Sequence, residues 1–350
     1  MTSHINQIEI TNFKSIRHMK IDGCKRINVF IGYPNVGKSN ILEALGMFTL
    51  PYLKIAGSKK LSDFIRLKNL PGLFYGTDTT TPVQVKINED ELIFSGIYDR
   101  SAFYPLECEY LYKGDNSDTA IKSPLLKPKM FFDDDLNVKF ENLPNKIGGF
   151  GKFEILKYHF NIDKLKPKKT SFSTLIPPFG NNLYNVIAEN DELRNFLKEE
   201  FEKIGGEYIY DTEDNVGKIL KENNGKIFTL PISSIADTLQ RLIFYMAAIV
   251  SNKNSVLLFE EPEAHMFPPY ISKLSGDIIF DKQNDNQYFI NTHSPFVIGE
   301  FLEDAREDLS VYLVDYKDNE TIIKKLSGEE LHEVYQYGVD LFFNIQSYLD

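Results

Sequence analysis

A glycine-rich segment near the start of the chain contains the residue types that bind nucleotide phosphates. It reads Gly32-Tyr33-Pro34-Asn35-Val36-Gly37-Lys38-Ser39. In this pattern the glycines let backbone N–H groups surround phosphate oxygens, the lysine reaches the β- and γ-phosphates, and the serine hydroxyl binds Mg²⁺. We therefore predict an ATP site formed by these residues and Asn40, with Lys38 in a catalytic role and Ser39 as a Mg²⁺ ligand.

Two carboxylates follow a short apolar run later in the chain. Residues 256–259 are Val-Leu-Leu-Phe, which predicts a buried strand, and Glu260 and Glu261 come directly after it. Successive side chains of a strand point in opposite directions, so one carboxylate can serve Mg²⁺ while the other faces a water molecule. We assign Glu260 to the metal and Glu261 to the role of catalytic base. Taken alone, the segment could equally be an ordinary buried strand that ends in solvated acids.

A histidine follows a second predicted strand. Residues 288–291 precede Thr292 and His293. A histidine at the end of a strand is more often structural, and that alternative stays open for the segment alone. After the two preceding motifs, His293 can hydrogen-bond the γ-phosphate or the attacking water. Phosphoryl transfer needs mainly positioning and charge stabilisation, so a lysine, a metal and a water-orienting acid are sufficient.

The surrounding elements predict an α/β fold. An apolar strand over 27–31 leads into the glycine-rich segment, and a helix with apolar residues at helical spacing follows it. From residue 256 onwards, strand and helix patterns alternate, which is typical of a mostly parallel sheet covered on both faces. Residues 51–187 instead show short β-rich runs. Residues 191–204 and 237–250 are predicted helices.

Composition limits the function classes. The 350-residue chain has a formal net charge of -11 and a pI near 5.2, which argues against binding nucleic acid through bulk charge. Lys164, Lys166, Lys168 and Lys169 form the densest basic run, and a solvated loop is the preferred interpretation. Two cysteines fit reduced thiols in the cytoplasm. The longest apolar stretch, 242–250, is about half a membrane span, so we expect a cytoplasmic protein without a membrane partner.

The ordered motifs resemble those of ABC-type ATPases of the SMC/RecF/OLD-like branch, specifically the small bacterial ATPases often found in phage-defence operons. Residues 8–15 (IEITNFKS) resemble the first strand and turn of the branch, Glu263-Ala264-His265 occupies the D-loop position, and His293 occupies the switch position. The resemblance implies a P-loop NTPase of ABC/SMC head type with an antiparallel β subdomain and a β-rich insert. It also implies that ATP is sandwiched between two heads, that ATP promotes homodimer assembly, and that a separate effector is controlled in anti-phage defence.

The sequence departs from the family pattern at two places, and a third family residue is not assigned. The signature segment, 231–241, has no glycine, so Ser233 and Ser234 are the best donors to the γ-phosphate bound by a second copy. The first acid is glutamate rather than aspartate, a form shared by OLD-like relatives. There is no secure Q-loop residue, and Gln84 is only a weak candidate. A nucleotide-gated scaffold with negligible turnover is therefore an alternative, and a transporter subunit is a more remote one.

Two further elements of the branch are not expected here. The interval between the glycine-rich segment and the signature segment shows no coiled-coil pattern, and the 57 residues that follow His293 are too few for a TOPRIM domain, so we expect no nuclease activity. We predict an ATPase core over 1–50 and 225–325, a β-rich lobe over 51–187, a helical segment over 188–224 that leads into the signature region, and C-terminal helices over 326–350.

Overall fold

The computed structural model describes residues 5–56, 60–88, 92–112, 128–142, 154–165 and 167–349. The strands are β1 (Gln7–Phe13), β2 (Ile16–Asp22), β3 (Ile27–Ile31), β4 (Val83–Ile87), β5 (Leu92–Tyr98), β6 (Leu106–Tyr112), β7 (Lys129–Phe132), β8 (Val138–Glu141), β9 (Glu154–Tyr158), β10 (Gly206–Asp211), β11 (Val216–Asn223), β12 (Lys226–Pro231), β13 (Ser255–Glu260), β14 (Gln287–Asn291), β15 (Leu309–Lys317) and β16 (Glu320–Lys325). The helices are α1 (Lys38–Gly46), α2 (Leu53–Ala56), α3 (Leu183–Glu189), α4 (Asp191–Glu202), α5 (Asp237–Ser251), α6 (Pro268–Phe280), α7 (Pro295–Asp304), α8 (Gly328–Tyr337) and α9 (Ile345–Leu349).

A six-stranded sheet carries the predicted motifs. Its strand order is β16-β15-β3-β14-β13-β9, and all neighbours are parallel except β15 and β16. Strands β3, β13 and β14 are buried along their whole length, as expected for a parallel sheet covered on both faces. The predicted α/β fold with a mostly parallel sheet is confirmed.

The sheet separates two apolar cores. Val29 of β3 faces the core that includes α5, α6 and α7, whereas Phe30 faces the core that includes α1. This alternation follows from the two-residue period of a strand. Strand β14 pairs in parallel with β3 on one side and with β13 on the other. The carboxyl ends of the three strands therefore lie side by side, and the segments that follow them meet at one edge of the sheet.

The antiparallel region differs from the predicted domain boundaries. Strands β1 and β2 belong to one seven-stranded sheet with the strands of the predicted lobe, in the order β2-β1-β4-β5-β6-β7-β8. Strand β1 pairs directly with β4, with Ile10 opposite Val85, so this sheet joins residues from both sides of the predicted boundary at residue 50. Strand β9, also assigned to the lobe, pairs with β13 instead. Gln84, the weak Q-loop candidate, lies in β4 opposite Thr11, outside the parallel sheet.

The segment over 188–224 is helical only in its first half. Helix α4 begins as predicted, with the Asn190 side chain accepting a hydrogen bond from the Leu193 N–H at 3.0 Å. Strands β10, β11 and β12 then form a separate antiparallel sheet. Asn224 and Gly225, both with positive φ, form a two-residue turn between β11 and β12, a strong hairpin signal that the helical prediction overlooked.

The C-terminal segment contains helix α8 and the short helix α9. Helix α8 begins with a capping box between Ser327 and Glu330, which satisfies N–H groups at the first turn. Among the described residues, no helix combines the length and apolar character needed to cross a lipid bilayer.

Candidate nucleotide-binding site

The glycine-rich loop connects β3 to α1 through an unusual backbone. Asn35 and Gly37 have φ values of 65° and 101°. A Cβ atom on Gly37 would lie 2.1 Å from the Thr321 hydroxyl oxygen, and one on Gly32 would lie 2.2 Å from the Val314 carbonyl oxygen. Both glycines are therefore required by close contacts with the β15–β16 hairpin, in addition to any contact with a ligand.

Replacement of Gly37 with alanine is expected to lower the free energy of unfolding by about 2–4 kcal/mol, because it combines a left-handed backbone with a steric clash. It should also abolish nucleotide binding, since the loop must rearrange. Urea denaturation and nucleotide titration measure the two effects. The matched control is Gly276→Ala in α6, where no atom lies within 4 Å of the added carbon; alanine should stabilise that helix by about 0.5–1 kcal/mol. Equal effects of the two substitutions would contradict this interpretation.

A chain of hydroxyl and amide groups supports the loop from behind. The Thr321 hydroxyl donates to the Val36 carbonyl at 2.9 Å, and the Ser15 and Thr321 hydroxyl oxygens are 2.6 Å apart. The Asn40 amide donates to the Ser15 hydroxyl at 2.6 Å. Asn40, predicted to bind nucleotide, is thus engaged in supporting the loop. Ser15 and Thr321 were not identified from sequence, because no local pattern links residues 306 positions apart.

Lys38 lies across the loop that it follows. Its ammonium group donates to the Gly32 carbonyl at 2.9 Å and to the Tyr33 carbonyl at 2.7 Å. Burial lowers the pKa of Lys38 to about 8, and the carboxylate of Glu261 opposes part of this effect. The ammonium is therefore held inside the loop, on the side of the second carboxylate.

The two adjacent carboxylates have different environments. Glu260 is buried, and its carboxylate interacts with the Ser39 hydroxyl, while Glu261 is only half-buried. Burial raises the pKa of Glu260, but Lys157, Ser39 and Arg66 together hold the pKa below its usual value. Glu260 is therefore an ionised, buried oxygen donor beside Ser39, which lies in the first turn of α1.

Glu261 turns away from its neighbour through a strained backbone. Its φ of 43° is left-handed, a conformation that is costly for a residue with a side chain and that is concentrated at functional sites. The backbone N–H of Glu261 donates to the Asn291 side-chain oxygen at 2.9 Å. One Glu261 carboxylate oxygen lies 3.5 Å from Nε2 of His293. The first carboxylate thus faces Ser39 and the second faces His293.

His293 is positioned by a buried acid that sequence reasoning placed only in the D-loop. Glu263 accepts hydrogen bonds from the Thr292 hydroxyl and from the His293 backbone N–H, the latter at 3.2 Å. Burial raises the pKa of Glu263, whereas burial and Lys38 lower the pKa of His293. Glu263 therefore ties the segment after β13 to the segment after β14.

Asn291 is a further residue that the sequence did not identify. Besides accepting from Glu261, its amide lies 3.4 Å from the Ser39 hydroxyl oxygen. It is the last residue of β14, and its position one strand from Glu260 follows from the parallel register in which the two residues pair. A polar residue directly after the apolar run over 288–290 was the available signal.

Replacement of Glu263 with alanine is expected to lower the free energy of unfolding by about 1–3 kcal/mol, because it leaves the Thr292 hydroxyl and the His293 N–H without their acceptor. Phosphate release should fall by about tenfold or more, since a misplaced catalytic group is costly. Urea denaturation and a phosphate assay measure these effects. Glu263→Gln retains an acceptor oxygen and should lie near wild type; an equal loss in both variants would show that the charge matters rather than the hydrogen bonds.

The two signature serines lie apart from these groups. Ser233 and Ser234 are exposed in a short 3₁₀ turn that precedes α5. The Ser233 carbonyl accepts a hydrogen bond from the Gln240 amide at 3.3 Å. Within the described ranges, no hydrogen bond or ion pair joins either serine to the glycine-rich loop.

The donor set fits Mg²⁺. The Ser39 hydroxyl and the Glu260 carboxylate are hard oxygen donors, which Mg²⁺ prefers. Among the described residues, no group of three or more His, Cys, Asp or Glu side chains is arranged to hold a metal. Mg²⁺ usually binds through one or two protein groups together with substrate phosphates and water, so a site with two protein donors is suitable.

The family comparison agrees with this geometry. The family described as "AAA domain, putative AbiEii toxin, Type IV TA system" matches residues 113–299, more than half of the chain. The matched region contains Glu260, Glu261 and His293, and it begins after the glycine-rich loop.

Relatives cover the chain to different extents. The chain is 23% identical to an ATP/GTP phosphatase of Helicobacter pylori over 385 positions, which span 97% of this chain and 100% of that protein. It is 22% identical to the Septu protein PtuA of Bacillus mycoides over 97% of this chain and 45% of that protein. An uncharacterized protein of Methanocaldococcus jannaschii is 28% identical over 58% of this chain and 55% of its own length. The chain therefore spans the whole of the first relative and about half of the other two.

Solved structures of SMC heads share the fold. An SmcHead bound to the C-winged helix domain of ScpA matches 94% of this chain and 99% of its own, with a TM-score of 0.50 and 15% identity. An Smc head with an extended coiled coil, bound to the C-terminal domain of ScpA from Pyrococcus furiosus, matches 95% and 99%, with a TM-score of 0.50 and 12% identity. The predicted SMC/RecF-like architecture is confirmed. The chain belongs to the AAA-domain family whose description names the AbiEii toxin and type IV toxin–antitoxin systems, and it has the head fold of an SMC/RecF-like AAA ATPase.

Proposed function

We propose that the chain binds ATP with Mg²⁺ and hydrolyses it to ADP and phosphate. The observation that carries this proposal is the divergence of the two carboxylates: Glu260 faces Ser39, whereas Glu261 faces His293 beside the ammonium of Lys38. The family and the ATP/GTP phosphatase relative support the reaction class.

Each group has a distinct proposed role. The loop from Gly32 to Asn40 surrounds the phosphates, with Lys38 leaving its carbonyl partners for the β- and γ-phosphate oxygens. Ser39 and Glu260 would hold Mg²⁺, which neutralises charge on the phosphates. Glu261 orients a water molecule and accepts its proton, and His293 hydrogen-bonds the γ-phosphate or that water. The barrier falls mainly through positioning and electrostatic stabilisation.

We further propose that ATP brings two copies of the chain together through their heads. The support is the exposure of Ser233 and Ser234 without a contact to their own phosphate loop, together with the SMC head fold. A serine hydroxyl donated to the γ-phosphate of a second copy would make assembly depend on nucleotide. The assembly state would control a separate effector in anti-phage defence inside the cytoplasm, a role implied by the resemblance of the motifs to ATPases of phage-defence operons. The acidic net charge gives no support to a nucleic-acid partner.

A scaffold that binds ATP with negligible turnover is the second candidate. The absence of glycine from residues 231–241 favours it, since no glycine would then let the backbone of the second copy approach the γ-phosphate closely. Steady-state phosphate release by the purified chain, with Mg·ATP and again with EDTA, separates the two. The ATPase proposal predicts release that requires Mg²⁺. Tight ATP binding without release would support the scaffold, and no binding would overturn both.

A further inference from the structure

An arginine from the protein surface reaches the buried carboxylate beside Ser39. Nη2 of Arg66 lies 2.6 Å from Oε1 of Glu260. The Arg66 side chain is 70% exposed, whereas the side chain of Glu260 is only 5% exposed. The guanidinium therefore covers the proposed metal-binding oxygen from the solvent side and remains accessible to water.

The backbone of Arg66 is fixed even though its side chain is exposed. Its N–H donates to Oε1 of Glu43 at 3.0 Å, and its carbonyl accepts from Nζ of Lys14 at 2.8 Å. Glu43 and Lys14 are mostly buried and form an ion pair with each other. Since Glu43 belongs to α1, the segment that carries Arg66 is attached to the helix that follows the phosphate loop. Only the side chain is free to leave Glu260.

A second cation supplies Glu260 with a permanent partner. Nζ of Lys157 lies 3.8 Å from Oε2 of Glu260, and the Lys157 side chain is only 4% exposed. The ammonium also donates to the Phe64 carbonyl at 2.8 Å. A Cβ atom on Gly46 would lie 2.8 Å from Cδ of Lys157, so α1 has a glycine where the lysine stem passes. The charge of Glu260 is therefore already compensated from inside the protein, and Arg66 is not needed to keep it buried.

We infer that Arg66 competes with the metal ion for Glu260 and thereby sets the Mg²⁺ concentration at which the site fills. The inference rests on the proposed role of Glu260 in binding Mg²⁺. A guanidinium on Oε1 and a divalent cation at the same carboxylate would repel each other, and the hydrogen bond to Oε1 occupies a lone pair that would otherwise be available to a metal ion. Binding of Mg·ATP therefore displaces the Arg66 side chain while its backbone stays attached to α1.

The test is a Mg²⁺ titration of thermal unfolding at a fixed concentration of ATPγS, which measures binding without turnover. Arg66→Ala is expected to lower the half-saturating Mg²⁺ concentration by about two- to fivefold, as for the loss of one exposed ion pair. Arg66→Lys keeps the charge and should lie between the alanine variant and wild type. The matched control is Lys164→Ala. Lys164 lines a cavity of about 90 Å³ together with Arg66 and Glu260, but it pairs with Asp63 rather than with Glu260. Its replacement should leave the Mg²⁺ titration unchanged.

The outcomes separate this inference from its premise. A raised half-saturating concentration in Arg66→Ala would overturn the inference, because Arg66 would then hold Glu260 in place for the metal. An unchanged value would overturn it as well. In a Glu260→Gln background the effect of Arg66→Ala should disappear, and persistence would show that it acts elsewhere. If ATPγS stabilises wild type equally with and without Mg²⁺, the metal role of Glu260 fails, and the inference fails with it.

Discussion

Replacement of Glu261 with glutamine should reduce steady-state phosphate release by about 100- to 10,000-fold while leaving ATP binding within a few-fold of wild type. A positioned general base contributes a factor of this size. Glutamine keeps the shape of the side chain and its contact with His293, and it cannot accept a proton. The left-handed backbone of Glu261 is set by the hydrogen bond to Asn291 and is not altered by the change. A phosphate assay and a nucleotide titration on the same samples measure both quantities.

The matched control for this experiment is Glu303→Gln, an exposed acid on α7 outside the site. It should hydrolyse ATP at the wild-type rate. If Glu261→Gln and Glu303→Gln release phosphate equally fast, Glu261 is not the base and the proposed mechanism is wrong.

Replacement of Lys38 with alanine should weaken ATP binding by about 10- to 100-fold or more. The wild-type ammonium can exchange its bonds to the Gly32 and Tyr33 carbonyls for charge-assisted bonds to phosphate, which are worth about 1.5–3 kcal/mol each. Alanine removes these contacts and also leaves the two loop carbonyls without their donor. Phosphate release should fall in parallel. Nucleotide titration by calorimetry at constant Mg²⁺ measures the loss of affinity.

The control for Lys38→Ala is Lys282→Ala, since Lys282 is an exposed lysine that follows α6. The Lys282→Ala variant should bind ATP with wild-type affinity. Retention of wild-type affinity by Lys38→Ala would mean that the glycine-rich loop does not bind the phosphates.

The local patterns predicted the phosphate loop and the parallel strands because each is encoded within a few residues. A run of four apolar residues such as 256–259 specifies a strand buried on both faces. The parallel arrangement then places the ends of β3, β13 and β14 together. Lys38, Glu261 and His293 therefore meet in the structure, although they are distant in sequence.

Contacts over long sequence separations could not be predicted in this way. Thr321 supports the phosphate loop from a hairpin near the C-terminus, and Arg66 reaches Glu260 across 194 positions. Such pairs leave no periodic signal. The pairing of β1 and β2 with the later antiparallel strands is also a choice among similar alternating segments, so the sequence did not indicate that one sheet crosses residue 50. The hairpin turn at Asn224 and Gly225 is different, because its signal was local and was outweighed by the helix before it.

The central claim is that ATP controls the assembly state, and mass photometry of the purified chain with and without Mg·ATP tests it most directly. We predict that nucleotide increases the mass of wild type, that Lys38→Ala abolishes the increase, and that Glu261→Gln retains the larger species as long as ATP is present. Phosphate release recorded on the same samples links assembly to turnover. A mass that is unchanged by nucleotide in wild type and in Glu261→Gln, with hydrolysis intact, would contradict the account and would mean that ATP acts on a partner of a constitutive assembly.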